Sequence, residues 1–431
     1  MALTGRAGLL ALLGALVVGF LLPSGWGLLL VTGLVLALVV VDVALAGSVR
    51  SLELDRSGDT AVRLGETATV TLRIANPAGR RVQGRLRDAW PPSAGAREQR
   101  HALDVPPGER RQVTTTLRPT RRGDRFAHRV TLRAVGPLGV AARQGSHEVP
   151  WRLRVLPPFT SRKHLPSKLA RLRELDGRAS VMIRGQGTEF DSLREYVEGD
   201  DVRSIDWRAS ARASDVMVRT WRPERDRRIL IVLDTGRTSA GRVGDAPRLD
   251  AAMDAALLLA ALASRAGDRV DLLAYDRRVR ARVEGVSATE LLPTLVEAMA
   301  PLEPALVEPD FAGMVSTVLG RTSRQSLVVL LTGLDAAPVQ EGLLPSLPML
   351  VRRHRVVVAS VGDPRVEAMA RGRGDAEAVY DAAAAERFRA DRARIGELLS
   401  RRGVEVVDGS PEELPPMLAD RYLALKAAGR L

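Results

Sequence analysis

Cysteine is absent from this 431-residue sequence. Its absence excludes a disulfide framework, thiolate zinc sites and cysteine nucleophiles, and leaves the compartment open. Lysine appears only at Lys163, Lys168 and Lys426, so the formal charge of +13 is carried almost wholly by arginine. A basic balance of that size points first to nucleic acid or anionic lipid. Aromatic residues make up only 3% of the chain, too few for a base-stacking platform. An arginine excess this lopsided also fits codon bias, and nucleic-acid binding is not expected. The five histidines, His101, His128, His147, His164 and His354, are scattered without ligand spacing. No G-x-S-x-G, P-loop or H-E-x-x-H pattern is present, so no catalytic residues are assigned and no small-molecule substrate is evident.

What is present begins with two apolar runs. Residues 7–22 and 26–41 carry no charge, and Pro23-Ser24-Gly25 between them is a turn signal. Each run makes roughly 24 Å of helix, slightly short of a full membrane span. Residues 43–46 extend the second run if Asp42 sits near the interface. A cleaved signal peptide would have one short apolar core and a small-residue cleavage site. A second run following at once favours a transmembrane hairpin over residues 1–47. Arg6 precedes the first run, and Arg50, Arg56 and Arg63 follow the second. The positive-inside rule then places both the N-terminus and the large C-terminal part in the cytoplasm, anchored to the plasma membrane.

From residue 48 to 157 the apolar period changes to two. TATVTLRIAN, RQVTTTLRP and AHRVTLRAVGPLG alternate apolar and polar residues between Pro, Gly and Asn punctuation. The pattern predicts a small antiparallel β-sandwich. From 229 to 431 strand signals alternate with helix signals, beginning with RILIVLD and ending in a helix over 411–428. Such alternation predicts a doubly wound, mostly parallel α/β sheet, with ligands bound beyond the C-terminal strand ends. Asp234, Asp276, Asp335 and Asp363 fall at such ends.

Between these regions, residues 158–228 hold the densest polar segment. GQGTEFDSLREYVEGDDVRSIDWRASAR crowds acids, arginines and bulky aromatics together. DSLREYV can form two helical turns, with Arg194 and Glu198 at i,i+4 and Gly199 as a stop. Asp200 can cap the next turn. Seven acids of the segment, including Glu189, Asp200, Asp201 and Asp206, are able in principle to hold metals or act as acid and base. Arg194, Arg203, Arg208 and Arg212 are interleaved with them, and ion pairing within the segment accounts for both sets. Trp207 and Trp221 read as core anchors. The binding candidates in this segment are Gly185, Gly187, Glu189, Phe190, Arg194, Tyr196, Gly199, Asp200, Asp201, Arg203, Asp206, Trp207 and Arg212.

A second candidate follows the first core strand. In Asp234-Thr235-Gly236-Arg237-Thr238-Ser239, an acid precedes hydroxyl residues, a pattern of hard oxygens suited to Mg²⁺ or Mn²⁺. The segment resembles the D-x-S-x-S signature of von Willebrand factor A-type domains. It departs from that signature at Gly236, where one hydroxyl ligand is missing. Thr238 keeps the second hydroxyl. Asp310 or Thr317 would supply a further ligand, and Asp335 another.

GTEF, LREY, GDD-x-R-x-IDW-x-ASAR and VMVR, in that order, resemble the signature of the DUF58 family. RRGD at 121–124 and VGPLGV at 135–140 also match that family's habits. The resemblance runs along most of the chain and implies a transmembrane pair, a β domain, this motif and a von Willebrand A-like domain. It further implies a membrane-bound adaptor acting with a MoxR-type AAA+ ATPase in the cell envelope. Two other readings stay open: a metal-dependent enzyme using the acids of 189–206, and an anionic-surface binder using the arginine excess.

Overall fold

The computed structural model describes residues 1–182, 189–213, 215–222, 227–322 and 324–431. They form two units, Met1–Leu156 and Pro157–Leu431.

The first unit opens with a two-residue strand β1 (Ala2–Leu3), followed by α1 (Gly5–Phe20) and α2 (Gly25–Leu45). Ser24 ends the turn between the helices, its hydroxyl accepting the N–H of Gly27 at 3.1 Å. The helices come close at Gly14, where an added Cβ would lie 2.7 Å from Val31 Cγ1. Small residues permit this kind of close approach between apolar helices. One helix, α2, is long and apolar enough to cross a membrane, and α1 is a shorter apolar helix. Most of their leucines are exposed.

Eight further strands complete this unit. They are β2 (Glu53–Gly58), β3 (Ala61–Arg63), β4 (Ala68–Ala75), β5 (Val82–Asp88), β6 (Arg100–Val105), β7 (Arg110–Leu117), β8 (Gly123–Val135) and β9 (Ala141–Leu156). One sheet has the order β2-β4-β7; the other runs β1-β9-β8-β5-β6, with β3 added in parallel to β9. Period-two alternation explains the pairing of faces. In β4, Ala68, Val70, Leu72 and Ile74 are buried while the residues between them face outward. Leu72 and Ile74 share a core with Leu86, Leu103, Val130 and Leu132 of the other sheet. Arg56, counted above among the arginines that orient the chain in a membrane, is instead buried inside this unit. It pairs with Asp88, and Trp90 Nε1 donates to the same carboxylate at 2.9 Å.

The second unit holds α3 (Leu165–Met182), then β10 (Glu189–Glu195), α4 (Trp207–Ser210) and β11 (Met217–Arg222). Next come β12 (Arg228–Asp234), α5 (Arg237–Ala240), the short pair β13 (Arg242–Val243) and β14 (Ala246–Pro247), α6 (Arg248–Arg265), β15 (Arg269–Tyr275) and β16 (Val279–Val283). The remaining elements are α7 (Leu291–Met299), α8 (Phe311–Leu319), β17 (Leu327–Leu331), α9 (Leu344–Val351), β18 (Arg355–Val361), α10 (Pro364–Ala370), α11 (Ala376–Arg401), β19 (Glu405–Gly409) and α12 (Leu414–Ala427).

The main sheet has the order β16-β15-β12-β17-β18-β19, parallel except for the edge strand β16. Renumbered along the chain this is 3-2-1-4-5-6, a doubly wound arrangement that reverses direction at its first strand, β12. Burial on both faces explains why β12, β17 and β18 read as unbroken apolar runs. Leu230 and Val232 pack with Phe311, Met314, Leu347 and Ile395 on one face. By alternation Ile229, Ile231 and Leu233 face the other side, where α6 lies against β12. The start of the unit is tied down by a buried acid: Asp254 of α6 accepts from the hydroxyls of Thr160 at 2.6 Å and Ser161 at 2.9 Å.

Candidate functional site

β12 delivers Asp234 to the carboxyl end of the sheet, where the strand order reverses. Its carboxylate is 1% exposed and fully engaged. Oδ1 accepts the N–H of Gly236 at 2.7 Å. Oδ2 accepts the hydroxyls of Thr238 and of Thr332, the latter at 2.6 Å. Burial raises the acid's pKa above its ordinary value; these three donors pull it back, and the nearby Asp276 carboxylate adds to the rise. Thr332 immediately follows β17 and was not singled out in the sequence, although it lies within the LLTGL run.

Gly236 has a packing reason for lacking a side chain. An added Cβ would come 3.0 Å from Asp234 Oδ1, 3.1 Å from the carbonyl oxygen of Val307 and 3.3 Å from Pro309 Cβ. The loop over residues 305–309 is zipped onto this turn. Ala305 N–H donates to the carbonyl of Thr235 at 2.7 Å, and Arg237 N–H donates to that of Val307 at 2.8 Å. A side chain at position 236 would therefore be crowded on three sides.

The other metal candidates are engaged elsewhere. Asp310 caps α8, accepting the N–H of Gly313 at 2.9 Å. It stands beside Tyr275, whose pKa is raised by burial first and by the Asp310 charge second. Thr317 donates back to the carbonyl of Gly313 within α8 at 2.7 Å. Asp335 Oδ2 is held by Arg248 Nη1 at 3.2 Å, and the same Nη1 lies 3.4 Å from the carbonyl of Thr238. Mg²⁺ requires near-octahedral oxygen ligands at about 2.1 Å. Here the Thr238 hydroxyl is bonded to Asp234, and the Arg248 guanidinium holds Asp335 and the main-chain carbonyl of Thr238. The residues do not fit a divalent cation, and no step is derived through one. Among the described residues no group of three or more acids, histidines or cysteines is placed to hold a metal. Arg248 had no signal in the sequence: it is one arginine of many, placed by Pro247 at the start of α6.

The polar motif is built differently from the sequence reading. Gly185 and Gly187 lie outside the described residues, as does the side chain of Trp221. Glu189 and Phe190 begin β10, and the segment expected to be helical continues this strand to Glu195. β10 pairs antiparallel with β11, with Arg194 opposite Val218. Arg194 therefore cannot reach Glu198 along a helix face. It binds Asp200 at 2.6 Å, and Asp200 also accepts the N–H of Val197. Gly199 has φ of 103°, so it turns the chain after the strand, not after a helix.

Two acids then cap two short helical turns. Asp201 accepts the N–H of Arg203 at 3.0 Å. Asp206 accepts those of Arg208 and Ala209, each at 3.0 Å, and pairs with Arg219. The amide bond from Ala209 and the Arg219 pairing hold its pKa below the ordinary carboxylate value. Of the four interleaved arginines, Arg194 pairs with an acid of the segment, Asp200, while Asp206 pairs with Arg219 from β11. Arg203 and Arg212 are exposed.

The expectation that Trp207 anchors a core is overturned. Its side chain is 69% exposed. Val202 is 64% exposed and Val197 58%, and Tyr196 also faces out. The polar bonds above fix the backbone of this motif while Trp207, Val202, Val197 and Tyr196 stay on the surface and Val218 is buried.

A family model described as "Protein of unknown function DUF58" matches residues 192–407, half of the chain. Uncharacterized proteins of Mycobacterium tuberculosis and Mycobacterium bovis are 27% identical over 186 residues, covering 43% of this chain. The matched part is 58% of their length, so the chain spans little more than half of these relatives. Among solved structures, the VWA domain of SpRpn10 is similar at 13% identity and a TM-score of 0.28, over 46% of this chain and 94% of that one. The CARDB domain of a Pyrococcus furiosus protein is similar at 18% identity and a TM-score of 0.19, over 24% of this chain and 91% of that one. With most of the motif of β10, α4 and β11 and most of the sheet after it inside the matched span, this chain belongs to the DUF58 family.

Proposed function

We propose that this chain is a membrane-anchored interaction protein. Residues 1–47 form a hairpin in the bilayer, 48–157 a β-sandwich, 158–228 the recruiting motif and 229–431 a von Willebrand A-like domain. The soluble parts lie in the cytoplasm. The partner is a MoxR-type AAA+ ATPase, the class that the family resemblance implies. One observation carries the interaction reading: Trp207, Val202 and Val197 are exposed on a motif whose polar groups are already bonded internally. Large apolar side chains grouped on a surface and rimmed by charge mark contact sites.

The anchoring reading is supported within the first unit. Both ends of the helix pair reach one loop, residues 136–141. Thr4 donates to the carbonyl of Gly139 at 2.6 Å, and Asp42 takes amides of the same loop. Arg80 Nη1 and Arg143 Nε reach the last carbonyls of α2, at Ala44 and Val43, each at 2.8 Å. With Arg6 they set positive charge at the end where both helices meet the β region, as the positive-inside rule asks of a cytoplasmic face.

Protease accessibility in inside-out and right-side-out vesicles tests the orientation; cleavage of the soluble part from the outer face reverses it. Co-purification from detergent-solubilised membranes, with and without nucleotide, tests the partner. Recovery of no AAA+ ATPase in either condition removes that part of the reading.

A further inference from the structure

Arg248 is the first residue of α6, and its guanidinium turns back over the loop after β12. Nη1 is held between Asp335 Oδ2 at 3.2 Å and the carbonyl of Thr238 at 3.4 Å. Two glycines flank it. An added Cβ on Gly241 would sit 3.4 Å from its Cζ, and one on Gly333 would sit 3.5 Å from its Nη1. Gly333 is constrained further, because the same Cβ would strike Asp335 Oδ2 at 2.5 Å. The Nε atom is buried and has no hydrogen-bond partner. A guanidinium with a buried nitrogen left unbonded is placed by its charge and its fit against the acid rather than by saturated bonding.

We infer that Arg248 is the resident cation of this strand-end site, occupying the Asp335 carboxylate that a divalent metal would need. The crowding at Gly236 points the same way. The site has lost a hydroxyl ligand on one side and gained a fixed positive charge on the other. An arginine stays charged at any working pH, so the site is permanently loaded. The assignment of this cation does not rest on the interaction reading above.

The test uses no partner. The full chain in detergent is titrated with Mn²⁺, and the free ion is followed by electron paramagnetic resonance. Wild-type protein is expected to leave the free Mn²⁺ signal unchanged. Arg248→Met keeps the stem and removes the charge, and is expected to take up one equivalent per chain. Adding Asp335→Asn to that variant should release it. Wild-type protein that binds one equivalent and loses it on Asp335→Asn overturns the inference, whether or not Arg248→Met folds. An Arg248→Met chain with native circular dichroism that takes up no Mn²⁺ also overturns it.

Discussion

Asp42, near the end of the second apolar helix, accepts the backbone N–H of Val140 at 2.7 Å across 98 positions of sequence. It accepts those of Leu138 and Ala141 at the same distance and is 0% exposed. One carboxylate thus organises the turn between β8 and β9. Gly136 makes room for it, since an added Cβ there would meet Asp42 Oδ1 at 2.2 Å. Asp42→Ala leaves these three amides without an acceptor, at a cost of about 3 kcal/mol or more given about 1–3 for each buried orphan group. Asp42→Asn keeps one acceptor oxygen and should fall between. Melting of the full chain in detergent, with proteolysis at residues 136–141, measures this; an unchanged melting point for Asp42→Ala would contradict it.

Trp207 should matter little to folding. Because its ring is exposed, Trp207→Ala is expected to change stability by less than about 0.5 kcal/mol. Asp206→Ala, by contrast, removes two amide acceptors and the Arg219 pairing, and should loosen β10 and β11. Hydrogen exchange on these strands separates the two. Rapid exchange in Trp207→Ala would return that residue to a structural role.

Asp234 sets one pH dependence. Burial raises its folded pKa, so its protonated form favours the fold. Stability contributed by this group falls as pH climbs from the ordinary carboxylate range through the raised pKa, then levels. Asp234→Asn cannot ionise, so its stability relative to wild type should improve as pH rises through that window. Urea titrations over a pH series read the difference; a constant gap would contradict it.

His354 sets the opposite slope. It is buried, with Nδ1 unpartnered, and burial first, then Arg353, lowers its pKa. The unfolded chain takes up a proton near pH 6.5 that the fold refuses. Stability from this group is therefore complete above about pH 6.5 and lost below it. In His354→Phe the acid-side loss should shrink in the same titrations.

The sheet was legible because its central strands are buried on both faces and so read as continuous apolar runs ending in Asp or Gly. The motif was misread for a local reason: a register shift between Phe190 and Ser192 breaks the period-two pattern and leaves DSLREYV looking helical. Asp42 was read as an interfacial charge because its partners are backbone amides, which carry no residue signature. Arg56 was counted as a topology signal, while its real partner, Asp88, is 32 positions away. Arg248 and Thr332 reach the strand-end site only through tertiary packing, which periodicity does not encode.

The measurement that bears most directly on the interaction reading compares wild type with Trp207→Ala, both tagged and purified from membranes with nucleotide present. A MoxR-type AAA+ ATPase should be retained by wild type, with or without chelator, and depleted at least tenfold by Trp207→Ala at equal folded protein. Equal recovery from both chains, or no AAA+ ATPase with either, would contradict it.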